Sequence, residues 1–173
     1  MTIRDARPAD RDALAALAAR AFRAAFGAQN DPADLDAYVG AAFDARQCGA
    51  ELADPALRVL LAEDADGLRG YATLRDGAVD ACVTGPAPLE VWRLYAAPEA
   101  VGQGVGAALM GACLDAARAM NRETVWLGVW DQNPRAIAFY ERWGFRTVGS
   151  HGFRLGEDHQ TDLVMARPTV LPG

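Results

Sequence analysis

Val101-Gly102-Gln103-Gly104-Val105-Gly106-Ala107 sets a glycine at every second position between an apolar run, Val91 to Tyr95, and a long alanine-rich stretch. Without a Cβ, glycine lets the backbone turn tightly and come close to a ligand, so that successive N–H groups converge on one anion. A helix starting there adds the positive end of its dipole. The chemistry such a turn can do is to hold a pyrophosphate, with the backbone from Val101 to Ala107 as donor. Glycine occurs 17 times in 173 residues, so the pattern alone decides little. A second motif follows one helix and one strand later: Asn133-Pro134-Arg135-Ala136-Ile137-Ala138-Phe139-Tyr140-Glu141-Arg142-Trp143-Gly144-Phe145.

Together the two segments resemble the GCN5-related N-acetyltransferase (GNAT) family. Its members carry a Gln/Arg-x-x-Gly-x-Gly/Ala loop for acetyl-coenzyme A and, downstream, an Asn...Tyr...Gly-Phe helix and strand. The resemblance runs closely from about Leu89 to Val148. One position departs from it: Val101 stands where the family usually has Gln or Arg, which removes a side-chain contact but none of the amides.

The resemblance implies transfer of an acetyl group from acetyl-CoA to a primary amine, by direct attack in a ternary complex. An amine with a pKa near 10.4 is neutral in only about one molecule in a thousand near pH 7.4, a handicap of roughly 4 kcal/mol, so a base or proton route is needed. Glu90, at the entry to the fourth strand and eleven residues before Val101, is the candidate base, directly or through water. Tyr140 is implied as the general acid that protonates the departing thiolate. Leu94, Tyr95 and Ala96 are implied along the acetyl and pantetheine arm, beside a bulge whose N–H groups would face the oxyanion. Asn133 is implied as a coenzyme contact as well as a helix cap. Homodimers are common in the family, and the sequence leaves the oligomeric state open.

The acceptor is less defined. The tail from Trp143 through His151-Gly152-Phe153 to Gln160-Thr161-Asp162 resembles the bacterial Pai-type polyamine acetyltransferases. Glu157, Asp158 and Asp162 would attract a polycation, or would simply form a solvated loop. Acetylation of protein N-termini or of another small amine is the alternative, and a silent acyl-CoA sensor is the non-enzymatic one. Trp92, Trp126, Trp130 and Trp143 offer aromatic faces for an ammonium or for core packing. His151 and His159 lie in polar sequence and read as surface residues.

Gly102 to Ala107 also satisfies the Gly-x-Gly-x-x-Gly/Ala dinucleotide fingerprint. That fingerprint needs a strand running straight into its first glycine, whereas Ala96 to Val101, with Pro98, intervene here. A net charge of -6 and a pI near 4.9 argue against a nucleic-acid partner. Cys48, Cys82 and Cys113 show no disulfide or zinc spacing, and no metal is expected. The first residues lack a signal-peptide core and no run approaches a membrane span, so a soluble cytoplasmic protein without a membrane partner is expected.

The elements that must position these residues follow from the hydrophobic pattern. Thr2 to Arg7 reads as a strand, Asp10 to Phe26 as an amphipathic helix, and Asp31-Pro32 as the cap and first turn of a second. Leu57 to Glu63, Leu68 to Leu74 and Leu89 to Tyr95 read as strands, with Asp76 to Pro88 as a loop bordering the substrate site. Val105 to Met120 is a helix with one apolar stripe, Thr124 to Val129 a strand, and Asn133 to Gly144 a capped and terminated helix. Phe145 to Val148 and Asp162 to Met165 complete the strands, joined by a polar connection from His151 to Thr161. The order βααβββαβαββ gives an α/β fold: one domain over residues 1–173, a mixed sheet of about seven strands covered on both faces, and a central parallel pair.

Overall fold

The computed structural model describes residues 1–170. Its elements are β1 (Thr2–Asp5), α1 (Arg11–Phe26), α2 (Pro32–Ala42), α3 (Ala45–Ala53), β2 (Leu57–Asp64), β3 (Gly67–Asp76), β4 (Pro88–Ala96), α4 (Val105–Ala119), β5 (Thr124–Trp130), α5 (Pro134–Arg142), β6 (Arg146–Leu155) and β7 (Asp158–Pro168). The seven strands form one sheet in the order β1-β2-β3-β4-β5-β7-β6. Among the described residues only the β4–β5 pair is parallel. Among the described residues no helix is long and apolar enough to cross a membrane.

Two sequence expectations need correction. A third helix, α3, follows the expected two; Asp44 caps it by accepting from Gln47 N at 2.6 Å. Its fully buried residues are Cys48 and Glu51, with Ala45 and Leu52 partly buried against the core, so its apolar stripe is short and interrupted by a charge. The stretch His151 to Thr161 is not a loop either: β6 and β7 extend through it as a hairpin turning at Gly156, where φ is +60°. These strands expose much of their surface, so their composition is polar although their backbone is paired.

Burial explains the rest. Val59 to Ala62 of β2 and Gly70 to Leu74 of β3 are buried at consecutive positions, which requires cover on both sheet faces. The stripe of α4 is wider than the pattern implies, since Met110, Leu114 and Ala117 are buried along with Val105, Leu109, Cys113 and Ala116. Gly70 sets where that helix begins: a Cβ there would lie 2.7 Å from Tyr95 O and from Val105 Cγ1. Only a residue without a side chain lets the start of α4 sit this close to β4.

Candidate active site

β4 and β5 pair through three residues each, Pro88 with Thr124, Leu89 with Val125 and Glu90 with Trp126, and then part. Beyond that point β4 stays paired to β3, and β5 to β7. The sheet therefore opens as a V. A cleft of about 990 Å³ occupies the opening, walled also by the C-terminal end of α1, the start of α4 and the length of α5. The register of β3 on β4 steps from Thr73–Arg93 to Leu74–Val91, so Trp92 is the extra residue of a bulge at the apex. Leu94, Tyr95 and Ala96 continue along the open edge and line the cleft.

The glycine turn lies at one end. Gly102 and Gly104 have φ of +84° and +82°, left-handed values that a side chain would strain. Gly104 is the N-cap of α4, so the N–H groups of Val105, Gly106 and Ala107 have no partner within the helix. Val101, Gly102, Gly104, Val105, Gly106 and Ala107 all line the cleft, and Gln103 does not. Its amide donates to Ala100 O at 3.2 Å, and its side chain accepts from Arg69 Nη2 and donates to Glu99 O. Gln103 thus braces the turn from outside, and the expected donor set loses that member.

Asn133 and Tyr140 enter from α5. The Asn133 side chain accepts from Ala136 N at 3.1 Å, and Pro134 occupies the first turn. Tyr140 packs edge-on against Phe139 and Phe145, and burial raises its phenol well above the usual value. It therefore stays protonated at neutral pH and able to donate. Both residues line the cleft, as do Arg135 and Arg142.

The other end of the cleft is rich in charge. Glu90 is not the exposed strand-entry residue that its position allowed: it is 5 % exposed, and its Oε2 accepts from Arg75 Nε at 2.6 Å. Burial raises its pKa, and Arg75 pulls it back only in part. Arg93, two residues past the bulge centre's neighbour Val91, stacks its guanidinium 3.8 Å from the Trp92 ring centroid and donates to Glu51 Oε2 at 2.6 Å. The loop after β3 reaches the site as expected, through Ala78, Val79 and Asp80.

His151 corrects the surface reading. It lines the cleft, with Nδ1 2.9 Å from Asp80 Oδ2 and Nε2 3.7 Å from Asp162 Oδ2. Burial raises the pKa of Asp162, whereas the Cys82 backbone N–H and then His151 lower that of Asp80. His159, Glu157 and Asp158 are exposed. Trp92, Trp126 and Trp130 line the cleft; Trp143 does not, and packs beside Phe139. A periodic signal for this wall was present, since Trp126, Gly128 and Trp130 alternate along one face of β5. Among the described residues no group of three or more His, Cys, Asp and Glu side chains is arranged to hold a metal ion.

The Acetyltransferase (GNAT) family model matches residues 12–145. An uncharacterized N-acetyltransferase of Mycobacterium tuberculosis is 36% identical over 161 residues, 93% of this chain and 99% of that protein. Among solved structures, the PaiA N-acetyltransferase of Thermoplasma acidophilum in complex with coenzyme A superposes with a TM-score of 0.79 at 18% identity, covering 96% of this chain and 98% of that one. The ribosomal-protein-S18-alanine N-acetyltransferase of Escherichia coli gives a TM-score of 0.72 at 18% identity, covering 99% and 96%. At such identities the likeness is one of fold.

Proposed function

The chain belongs to the Acetyltransferase (GNAT) family, and from that premise we propose that it moves an acetyl group from acetyl-CoA to the primary amine of a small cationic acceptor, such as a polyamine, with both substrates bound together. The observation that carries this reading is the convergence of three features on one cleft: the left-handed Gly102/Gly104 turn at the head of α4, the unpaired edge of β4, and Tyr140.

In this reading the diphosphate of the coenzyme sits on the amides of the turn and of the first turn of α4. Val101 contributes backbone only. The pantetheine arm lies along Leu94 to Ala96 as an added strand would, since that edge of β4 has hydrogen-bonding groups free for a partner. Asn133 borders the arm. The bulge at Trp92 re-aims backbone N–H groups toward the tetrahedral oxyanion. Tyr140 donates its proton to the leaving sulfur. The Thermoplasma protein, which shares this fold, is in complex with coenzyme A, and that supports acetyl-CoA as the donor.

The amine enters from the charged end. Arg75 and Arg93 also line this end but are paired with Glu90 and Glu51, so Asp80 and Asp162 leave the wall with negative charge, which draws in an ammonium group, and its proton must be lost there before attack. Glu90 is the base the sequence offers. A polyamine brings a second cation to this wall and a protein N-terminus need not, which is why we favour a polyamine-like amine over a protein N-terminus.

Release of free thiol from acetyl-CoA tests the reading, with spermidine, simple diamines and a peptide bearing an N-terminal alanine as acceptors. Turnover with the polyamines in preference to the peptide is the expected result. Preference for the peptide would reassign the acceptor, and binding of acetyl-CoA without turnover on any amine would leave a sensor.

A further inference from the structure

His151 has no task in the acetyl-transfer reading as it stands, yet it occupies the acceptor end of the same cleft. It lies directly opposite Asp162 across the β6–β7 ladder. Asp80, which holds its Nδ1 side, is itself fixed by the Cys82 backbone N–H, which donates to Asp80 Oδ1 at 2.9 Å. A carboxylate can only accept, so in neutral His151 the hydrogen sits on Nδ1 and the Nε2 lone pair faces Asp162 Oδ2 across 3.7 Å. Two acceptors facing each other need a donor between them. A second proton, on Nε2 or on the buried Asp162 carboxyl, or the N–H of a bound cation supplies it.

β5 leaves room for that cation. A Cβ at Gly128 would stand 3.3 Å from His151 Nε2 and 3.4 Å from Asp162 Oδ2, so only glycine keeps this point clear. Trp126 and Trp130 flank the gap on the same face of the strand. Glu90 on β4, its partner Arg75 on β3, and Asp131 just after β5 complete the surrounding charges. Glu90 is the poorer direct acceptor, because its Oε2 already accepts from Arg75 at 2.6 Å.

We propose that Asp162 and the Nε2 of His151 receive the acceptor's ammonium group and that Nε2 takes its proton. The assignment rests on the acetyl-transfer reading and names the atom that does the deprotonation. The N–H bond of the ammonium breaks with its electron pair kept on the amine nitrogen, and a new N–H bond forms on Nε2. The resulting imidazolium lies between two carboxylates, which offset its charge. The amine then bonds to the thioester carbon, and the C–S bond breaks with its pair leaving on sulfur. The second proton shed by the amine nitrogen balances the one the thiolate takes up, and the proton on His151 is lost to solvent before the next turnover. Asp80 is a positioning residue that selects the tautomer.

The test is the pH dependence of thiol release with spermidine, diamines and the alanine peptide, for the wild type and for His151→Gln, Asp162→Asn, Asp80→Asn and Glu90→Gln, with acetyl-CoA affinity measured on each to show an intact fold. His151→Gln is expected to lower kcat/KM about 10²-fold and to abolish the acid limb of its pH profile. Asp162→Asn should raise KM for the amine about tenfold with a smaller loss in kcat, and Glu90→Gln should retain the acid limb. A His151→Gln enzyme within about threefold of wild type with the same profile would overturn the assignment, as would loss of the limb in Glu90→Gln instead. Acetyl-CoA binding by a wild type that acetylates none of these amines would overturn the acetyl-transfer reading, and this assignment with it.

Discussion

Arg75 and Glu90 face each other across the β3–β4 ladder, and the guanidinium Nε donates to the buried Oε2 at 2.6 Å. Glu90 is titrated against two forces, burial that raises its pKa and Arg75 that lowers it. Replacing Arg75 with Met leaves burial unopposed. A carboxyl whose folded pKa lies above its unfolded value contributes stability below the unfolded pKa, lost as pH rises through the folded one. Arg75→Met should therefore destabilise the protein by about 1–3 kcal/mol near pH 8, and by progressively less toward pH 4. Denaturant melts across that range check both size and direction.

The Glu51–Arg93 pair ties α3 to β4 at the cleft wall, with side chains only 6 % and 11 % exposed. Removing one partner, as in Glu51→Leu or Arg93→Leu, strands a buried charge and should cost about 3–5 kcal/mol. The double substitution should cost less than the sum of the two, and a double-mutant cycle by urea unfolding measures the coupling.

Tyr140→Phe removes the phenolic proton but keeps the packing against Phe139 and Phe145. Turnover should fall about 10²-fold, the low end for acid–base groups, with little change in melting temperature. Because burial keeps the phenol protonated, the wild-type profile should show no limb from Tyr140 in the neutral range. Unchanged turnover in Tyr140→Phe would remove it from the mechanism.

How much of this was legible follows from the kind of signal each residue carries. Asn133-Pro134 and Gly144 are local signals, fixed by capping and by the left-handed φ of +85° at Gly144, and the sequence places α5 between them correctly. The Gly102/Gly104 turn is local in the same sense. His151 is different: it reaches the cleft only because β6 pairs with β7 and because a carboxylate from the loop after β3, 71 residues away, comes to meet it. Polar composition hid those strands, since their exposed faces dilute the alternation. α3 was hidden likewise, because its stripe of Ala45, Cys48 and Leu52 is short and shares the buried face with the Glu51–Arg93 pair, although Asp44 followed by Gln47 is a capping signal that could have found it. The burial of Glu90 depends on Arg75, which no spacing rule links to it.

The glycines of the turn separate stability from binding. Gly106 has ordinary helical φ, and a Cβ there would meet only Phe139 at 3.6 and 3.7 Å and Leu94 at 3.8 Å. Gly106→Ala should leave the melting temperature unchanged or slightly higher, by the entropy gained in fixing a helix, while weakening acetyl-CoA affinity by crowding the diphosphate. Gly104→Ala should lose both, with about 1 kcal/mol of strain at its φ of +82°. Calorimetric titration beside thermal melts distinguishes the two.

Amide hydrogen exchange with and without acetyl-CoA tests the central claim most directly, because it reads the backbone donors themselves. Protection should rise in the segment from Val101 to Ala107 and along Trp92 to Ala96 of β4, with the hairpin tip around Gly156 unchanged. Acetyl-CoA that binds without slowing exchange in those two segments, or that protects a different part of the sheet, would contradict the account.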